Sequence, residues 1–503
     1  MANLYETLAA RFPADRTRPF ACLPDGRVLD YAGVERASAR YAALLARLEV
    51  GVGDRVAVQT GKSIDMLMLY LGCLRVGAVF LPLNPAYPAG ELAYFLDDAQ
   101  PALFVCDPAR EAEARALAAG QPGLRVETLG EAGEGTLPAM AAAMPDAFAT
   151  VPRADDDLAA ILYTSGTTGR SKGAMLSHGN LASNALTLVA QWRFTGDDVL
   201  LHMLPIFHTH GLFVATNVTL AAGASLLFEP RFDAARAMAL LPRATVMMGV
   251  PTFYIRLLGE PGFGRDLVGE MRLFISGSAP LSAEIHREFA QRTGHAILER
   301  YGMTETNMNT SNPYEGDRRA GTVGLPLPGV SIRIADPETG TPLATGEVGV
   351  IEIAGPNVFQ GYWNMPEKTA EEFRDGFFIS GDLGFIDAQG YVSIVGRAKD
   401  LIIAGGYNIY PAEVEAALDE LPQVRESAVI GAPHPDLGEG VVAVVVPREP
   451  DYGDAEALIA ALAGRLARYK QPRRLYLVPE LPKNSMGKVQ KTLLRERFKS
   501  AFG

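Results

Sequence analysis

DRVAVQTGKSIDMLMLYLGCLRVGAVFLPL, residues 54–83, reads as a short β-branched run, a helical segment and a second short apolar run. Strand, helix, strand within thirty-odd residues is a βαβ unit, and such units build a mostly parallel sheet. ALFVCD, at 102–107, supplies a third run of the same kind. Between Asp198 and Leu298 the pattern returns, with LLHMLP, ASLLFEP, ATVMMGVP and RLFISGS separated by helical segments. The apolar stretch Met66–Leu83 contains Arg75 and Pro82 and is followed by Pro85 and Pro88. A membrane span needs about 20 uninterrupted apolar residues, so the stretch is expected to be a buried helix leading into a buried strand.

From Gly321 to Val395 the pattern changes to short strands with turn signals, VSIRIADPETGTPL, GEVGVIEIAG and GYVSIVG. That reads as an antiparallel sheet or small barrel. After GRAKDLIIAGGYNIYPAEVEAAL the chain reads as a compact α+β unit. It has a helix from Pro411, strands at Ser427–Ile430 and Gly440–Val446, a helix from Asp454 and a basic tail. The Ala-rich region Ala112–Ala143 reads as surface helix and loop. At 503 residues the chain exceeds what one core usually supports. The expectation is an α/β protein in two domains. Residues 1–396 would form a large domain of mixed and parallel sheets sandwiched by helices, with the small antiparallel barrel-like subdomain, and residues 397–503 a smaller α+β domain.

A hydrophobic content of 48% with 21% charged residues is ordinary for a globular chain, and the formal net charge is -12. An acidic surface argues against nonspecific nucleic-acid binding, which needs cations to displace counterions from phosphates. It leaves room for an anionic substrate, because a pocket's local charge can oppose the whole. Cys22, Cys73 and Cys106 are widely spaced in apolar surroundings, which indicates neither a disulfide framework nor a metal cluster and fits a reduced, cytoplasmic compartment. MANLYETLAARFPADRT lacks the charged and apolar regions of a secretory signal.

YTSGTTGRSKGAM, residues 163–175, crowds Gly, Ser and Thr around one lysine. It is not the G-x-x-x-x-G-K-[ST] fingerprint, since Ser171 and Gly173 stand in the wrong places, and GVGDRV at Gly51 lacks the third glycine of G-x-G-x-x-G. Its composition still suits a polyphosphate cradle: glycines let backbone N–H groups turn toward an anion, hydroxyls donate further bonds, and Lys172 adds a mobile charge. On composition alone a surface loop remains the alternative.

Further segments follow in order: LPIFHTHG from Leu204, SGSAPLS from Ser276, YGMTE from Tyr301, SGDLG from Ser380, GRAKDLIIAGGYNIYPAEVE from Gly396 and PKNSMGK from Pro482. Together with the glycine-rich loop, this series resembles the acyl-adenylate-forming superfamily over most of the chain. The resemblance implies ATP, Mg²⁺ and coenzyme A as the small molecules handled. It implies that Thr164, Ser165, Gly166, Thr167, Thr168, Gly169 and Lys172 grip the β/γ-phosphates. Thr304 would meet the α-phosphate, Glu305 the Mg²⁺, and Asp382 and Arg397 the ribose. Gly277, Ser278, Ala279 and Pro280 would form one wall of the adenine site, with Tyr301 and Gly302 opposite. Lys488 resembles the catalytic lysine, carried by a mobile small domain that turns about Lys399 and afterwards presents Gly405 and Gly406 to the pantetheine thiol. His208 occupies an aromatic gate position. Related synthetases are switched off by acetylation of this lysine, so an acetyltransferase and deacetylase are implied partners of Lys488.

The acid is expected from MMGVPTFYIRLL. Arg256 falls one helical turn after Thr252, and an arginine in an acyl pocket is costly unless it meets an anion. With Ser276 and Ser278 added, the pattern is similar to the malonyl-CoA synthetases, with a short dicarboxylic acid, malonate or methylmalonate, held by Arg256. The alternatives are a medium-chain or aromatic acyl-CoA synthetase, in which Arg256 faces solvent, an adenylation domain that acylates a carrier protein, and a nucleotide-binding sensor without turnover.

Overall fold

In the computed structural model, which describes residues 3–164, 171–463, 465–484 and 487–503, the opening stretch forms the strand Arg55–Gln59, the helix Ile64–Val76 and the strand Val79–Pro82. The two strands pair in parallel, Val56 opposite Phe80. Ser63 caps the helix by accepting from the Met66 N–H at 3.2 Å. Gly77, at φ 83°, ends it in the left-handed conformation that a side chain would resist. Every residue from Met66 to Val76 is buried, as a helix apolar on all sides requires. Arg75 is tolerated there because its Nη1 donates to the Tyr5 hydroxyl, the Glu35 carbonyl and Ser38 Oγ at 2.9–3.1 Å. Gly72 sets the approach of this helix to Tyr31–Arg47, since a Cβ on it would lie 2.8 Å from that of Tyr41. Among the described residues no helix is long and apolar enough to cross a membrane.

The first sheet runs Arg125–Thr128, Leu103–Cys106, Arg55–Gln59, Val79–Pro82, Leu158–Thr164 and Lys172–Ser177, parallel except for the last pair. Arg125–Thr128 lies within the Ala-rich region expected to be helix and loop. The helices are there, at Glu111–Ala118 and Thr136–Ala142. The strand between them is four residues long and alternates exposed with buried positions, too short a run for its period to stand out. It adds to the sheet edge beside Leu103–Cys106.

The second sheet has nine strands, parallel in the middle and antiparallel at both ends. Val199–His202, Val246–Gly249, Leu273–Ser276 and Leu298–Met303 are four of its parallel strands. One continuous core joins the two sheets through the helices between them, taking in Phe80 and Leu162 from the first, Leu200 and Ile275 from the second, and Tyr41, Leu69 and Leu188 from helices. Burying each such side chain stabilises the fold by roughly 1.5–3 kcal/mol.

The antiparallel region is a sheet formed by Ser331–Ala335, Gly349–Ala354, Phe373–Arg374, Phe377–Ile386 and Val392–Arg397. Beyond the short turn Ala398–Asp400, residues from Ile402 onward build a separate five-stranded sheet. Contacts that bring this C-terminal unit against the rest include Arg448 with Glu284 at 2.5 Å and Arg495 with Asp400 at 2.6 Å, and a Cβ on Gly487 would lie 3.1 Å from Thr252 Oγ1.

Candidate active site

The carboxyl ends of the parallel strands in the second sheet mark the cleft position that ligand sites generally take in open α/β sheets. On the side expected to take the nucleotide, Asp382 and Arg397 are cross-strand partners in the antiparallel sheet. This register places the Arg397 Nε 2.6 Å from Asp382 Oδ1, while the Tyr301 hydroxyl donates to Oδ2 at 2.5 Å. Asp382 is buried, and its neighbour raises the Arg397 pKa further. Each carboxylate oxygen has two acceptor sites, so Asp382 retains capacity for sugar hydroxyls. Thr304 is half-buried in the turn between Leu298–Met303 and Asn307–Ser311. Gly302 is needed there, because a Cβ would sit 2.0 Å from the Asn307 carbonyl.

Glu305 is buried, and burial raises its pKa against the pull of Tyr362, Lys172 and Arg397. The Tyr362 hydroxyl lies 3.1 Å from Glu305 Oε1 and 2.7 Å from Glu372 Oε2. Lys172 pairs with Glu372 Oε1 at 2.7 Å and stands 4.0 Å above the Tyr362 ring. Thr164 directs its hydroxyl to the Lys172 carbonyl at 3.5 Å. Ser165, Gly166, Thr167, Thr168 and Gly169 lie outside the described residues.

Lys488 enters the same cleft from the C-terminal unit. Its side chain is open to water. The protein crowded around it lowers its pKa, with Arg397 and Arg300 adding to the effect and Asp382 and Glu305 opposing it.

The side expected to take the acid is built differently. Arg300 is buried, and its Nε, Nη1 and Nη2 have no hydrogen-bond partner among the described residues. Burial pushes its pKa down to about 9. Its guanidinium lies against Gly277, where a Cβ would come within 2.5 Å of Cζ. Ser276 Oγ and His210 Nε2 are also buried and unpartnered, while His210 Nδ1 faces Ser278 Oγ at 3.2 Å. Ser278 adopts φ 71° at the strand end, followed by half-buried Ala279 and exposed Pro280. His208 is pushed down to about 3 by burial and by the charges of Lys488 and Arg300, so it is neutral at pH 7 and near both cations. Glu299 does not neutralise Arg300: strand alternation sends adjacent side chains to opposite faces, and burial raises the Glu299 carboxyl to about 8.

Arg256 requires a correction. It is exposed. The helix Pro251–Leu258 buries Pro251, Tyr254, Leu257 and Leu258, and position 256 lies about 200° around the axis from 254, which turns it to solvent. The arginine buried at these strand ends is Arg300, which the sequence reading passed over inside the YGMTE-bearing strand. The available signal was two adjacent ionisable residues, Glu299 and Arg300, in a strand flanked by apolar Ile297, Leu298 and Tyr301. Tyr362, Glu372 and His210 were also missed.

Lys399 lies exposed in the turn Ala398–Asp400 that joins the antiparallel sheet to the C-terminal one. Gly405 and Gly406 form the exposed turn between Ile402–Ala404 and Tyr407–Ile409, at φ 59° and 82°.

Comparison with known proteins gives a consistent grouping. Residues 5–363 match the AMP-binding enzyme family and residues 413–488 the AMP-binding enzyme C-terminal domain. The ATP-bound crystal structure of MatB from Rhodopseudomonas palustris is 56% identical over all of both chains, with a TM-score of 0.98. The apo crystal structure of that protein aligns with a TM-score of 0.87. Feruloyl-CoA synthase of an Amycolatopsis species is 37% identical, with 94% of each chain covered. Malonate–CoA ligase of Arabidopsis thaliana is 35% identical over 89% of this chain and 78% of its own.

Proposed function

Because the chain belongs to the AMP-binding enzyme family, and its relatives there include a feruloyl-CoA synthase and a malonate–CoA ligase, we propose that it is an AMP-forming ligase that joins malonate to coenzyme A, with methylmalonate as a second acid. One carboxylate of malonate attacks the α-phosphorus of ATP, and the bond to the β-phosphate oxygen breaks to release pyrophosphate. The thiol of CoA then attacks the malonyl carbonyl, loses its proton and expels AMP. A carboxylate needs this activation because its charge repels nucleophiles and oxide is a poor leaving group.

Arg300 is the observation that carries the choice of acid. A buried guanidinium with three unpartnered nitrogens is strongly unfavourable unless an anion completes it, and a carboxylate fits its fork with two parallel bonds. His208 feels the charges of both Lys488 and Arg300, which supports a diacid held between the two cations. Lys488 takes the reacting carboxylate and Arg300, with Ser276 and His210, the distal one. The argument first attached to Arg256 passes to Arg300.

Lys488 stabilises negative charge on the α-phosphate and attacking oxygen as a preorganised point charge. Lys172 and Thr164 serve the departing phosphates, Thr304 the α-phosphate, and Asp382 with Arg397 the ribose. Glu305 suits Mg²⁺: the ion takes one or two protein carboxylates and completes its shell with phosphate oxygens and water, and a single buried carboxylate beside the phosphate lysine meets that need. When bound with ATP the ion would neutralise phosphate charge. After adenylation the C-terminal unit is proposed to turn about Lys399 and bring Gly405 and Gly406 to the thiol. Lys488 is accessible, and its acetylation would remove the charge adenylation uses. Mass spectrometry of protein from its native host, showing only unmodified Lys488 under all growth conditions, would refute that regulation. Free Cys22, Cys73 and Cys106 fit a reducing, cytoplasmic setting.

The deciding assay follows ATP- and CoA-dependent thioester formation with malonate, methylmalonate, acetate, octanoate and benzoate. Malonate is expected to be turned over best; octanoate or benzoate turnover without malonate turnover would overturn the reading.

A further inference from the structure

Lys172, Glu372, Tyr362 and Glu305 form a connected chain across two sheets. Lys172 begins the last strand of the first sheet, and Glu305 lies in the turn after Leu298–Met303 of the second. Tyr362 and Glu372 come from the connection between the strands Gly349–Ala354 and Phe373–Arg374 of the antiparallel sheet. The ammonium of Lys172 is fixed twice, by Glu372 Oε1 at 2.7 Å and by the Tyr362 ring at 4.0 Å. Lys368 reaches the same Glu372 oxygen at 3.3 Å from the surface side. The other oxygen of Glu372 meets the Tyr362 hydroxyl at 2.7 Å, and that hydroxyl also faces Glu305 Oε1 at 3.1 Å. Burial alone would raise the Glu372 pKa, yet Lys172 and Tyr362 hold it below its usual value, so it remains an anion.

We propose that Glu372 and Tyr362 are positioning residues that couple the phosphate-binding lysine to the metal-binding carboxylate, so that Lys172 and Glu305 are aimed at Mg·ATP as one unit. The proposal rests on the nucleotide reading of the cleft and is independent of which acid is used. An ammonium has three donors. One bond to Glu372 leaves two for phosphate oxygens, and the ring beneath restricts where they point. A lysine on a four-carbon stem otherwise loses substantial rotamer entropy on binding. On the other branch, the hydroxyl has one proton, shared between two carboxylates, which fixes the rotamer of Glu305 relative to Glu372.

The test is equilibrium binding, read by displacement of a fluorescent ATP analogue from the full chain, in EDTA and across a MgCl₂ titration. Glu372→Gln keeps the shape and removes the charge. It is expected to weaken ATP binding in EDTA by about fivefold, and to have no further effect in a Lys172→Ala background, the signature of one coupled pair. Tyr362→Phe keeps the ring under Lys172 and removes the hydroxyl. It is expected to leave binding in EDTA within about twofold while raising the Mg²⁺ needed for half-maximal tightening by about fivefold.

Equal weakening by Glu372→Gln with and without Lys172 would overturn the proposal. Tighter ATP binding by Glu372→Gln would also overturn it, since Glu372 would then only detain the lysine. Unchanged Mg²⁺ dependence in Tyr362→Phe would break the second branch, and this arm decides alone should Glu372→Gln not fold. If the unmodified chain bound no ATP, the nucleotide reading itself would fall; ATP binding retained in the wild type and equally in every variant would remove only the positioning role.

Discussion

The two sides of the cleft are opposites in how they satisfy their charges. On the nucleotide side every ionisable group described has a partner within the protein: Asp382 with Arg397 and Tyr301, Lys172 with Glu372, Glu305 with Tyr362. On the acid side Arg300, Ser276 Oγ and His210 Nε2 are buried and unpartnered among the described residues. A site that receives a large, flexible, multiply charged ligand can stay ordered beforehand through its own ion pairs and then exchange or share them. A site built for one small anion can instead leave its counter-charge to the substrate. The second design trades stability for discrimination, because a ligand without the anion leaves the cation buried alone.

The largest expected effect tests what both sides share. Lys488→Ala is predicted to reduce adenylate formation, read by pyrophosphate exchange, by about a thousandfold, since it removes a charge aimed at the reacting atoms. Thioester formation from supplied malonyl-adenylate should persist. Equal loss of both half-reactions would mean that Lys488 acts in a single arrangement of the two units, against the proposed rotation.

Arg300→Met breaks the contrast directly. Malonate kcat/KM is predicted to fall by about a hundredfold or more, while Tm rises, because an unpaired buried charge is replaced by an apolar side chain of similar length. A fall in Tm would show that Arg300 has a partner inside the protein. Arg256→Ala is the matching control, expected to change malonate kinetics by less than about twofold as a surface substitution.

Asp382→Asn, on the paired side, should behave in the opposite sense. It leaves Arg397 without its counter-charge, so Tm is predicted to fall while the KM for ATP rises by about tenfold, with malonate KM little changed. If stability were unaffected, the ion pair would contribute nothing to the fold of this side.

The same contrast explains what could be read from sequence. The nucleotide side rests on short contiguous motifs, in which the residue and its local geometry travel together: Asp382 and Arg397 meet because two consecutive strands pair in register, and Gly302 is dictated by a tight turn. The sheets were legible for the same reason, since local periodicity sets a strand or helix. The acid side depends on which of several arginines points inward, and that is fixed by the packing of a helix against residues distant in sequence. Arg256 and Arg300 are chemically alike. Only the burial of Tyr254, Leu257 and Leu258 turns one outward, and only the absence of a Cβ at Gly277 makes room for the other. Tyr362 and Glu372 were hidden similarly, their partners lying 57 and 200 residues away.

The smallest predicted effect asks whether Arg300 is truly without an internal counterion, and Glu299 is the residue that could supply one. If the two formed a pair, the Glu299 carboxyl would be ionised and held below its ordinary value. Burial instead raises it to about 8 from an ordinary 4.5. The folded state then keeps a proton that the unfolded state releases in this range, so unfolding stability contributed by Glu299 is full below about pH 4.5 and declines as pH rises toward 8. Glu299→Gln removes that decline. Its unfolding free energy, measured by denaturant titration at pH 5 and pH 8, should gain on the wild type at the higher pH. A variant that loses stability at both, and more at pH 8, would mean an ionised Glu299 supporting Arg300, and the acid side would be as self-sufficient as the nucleotide side.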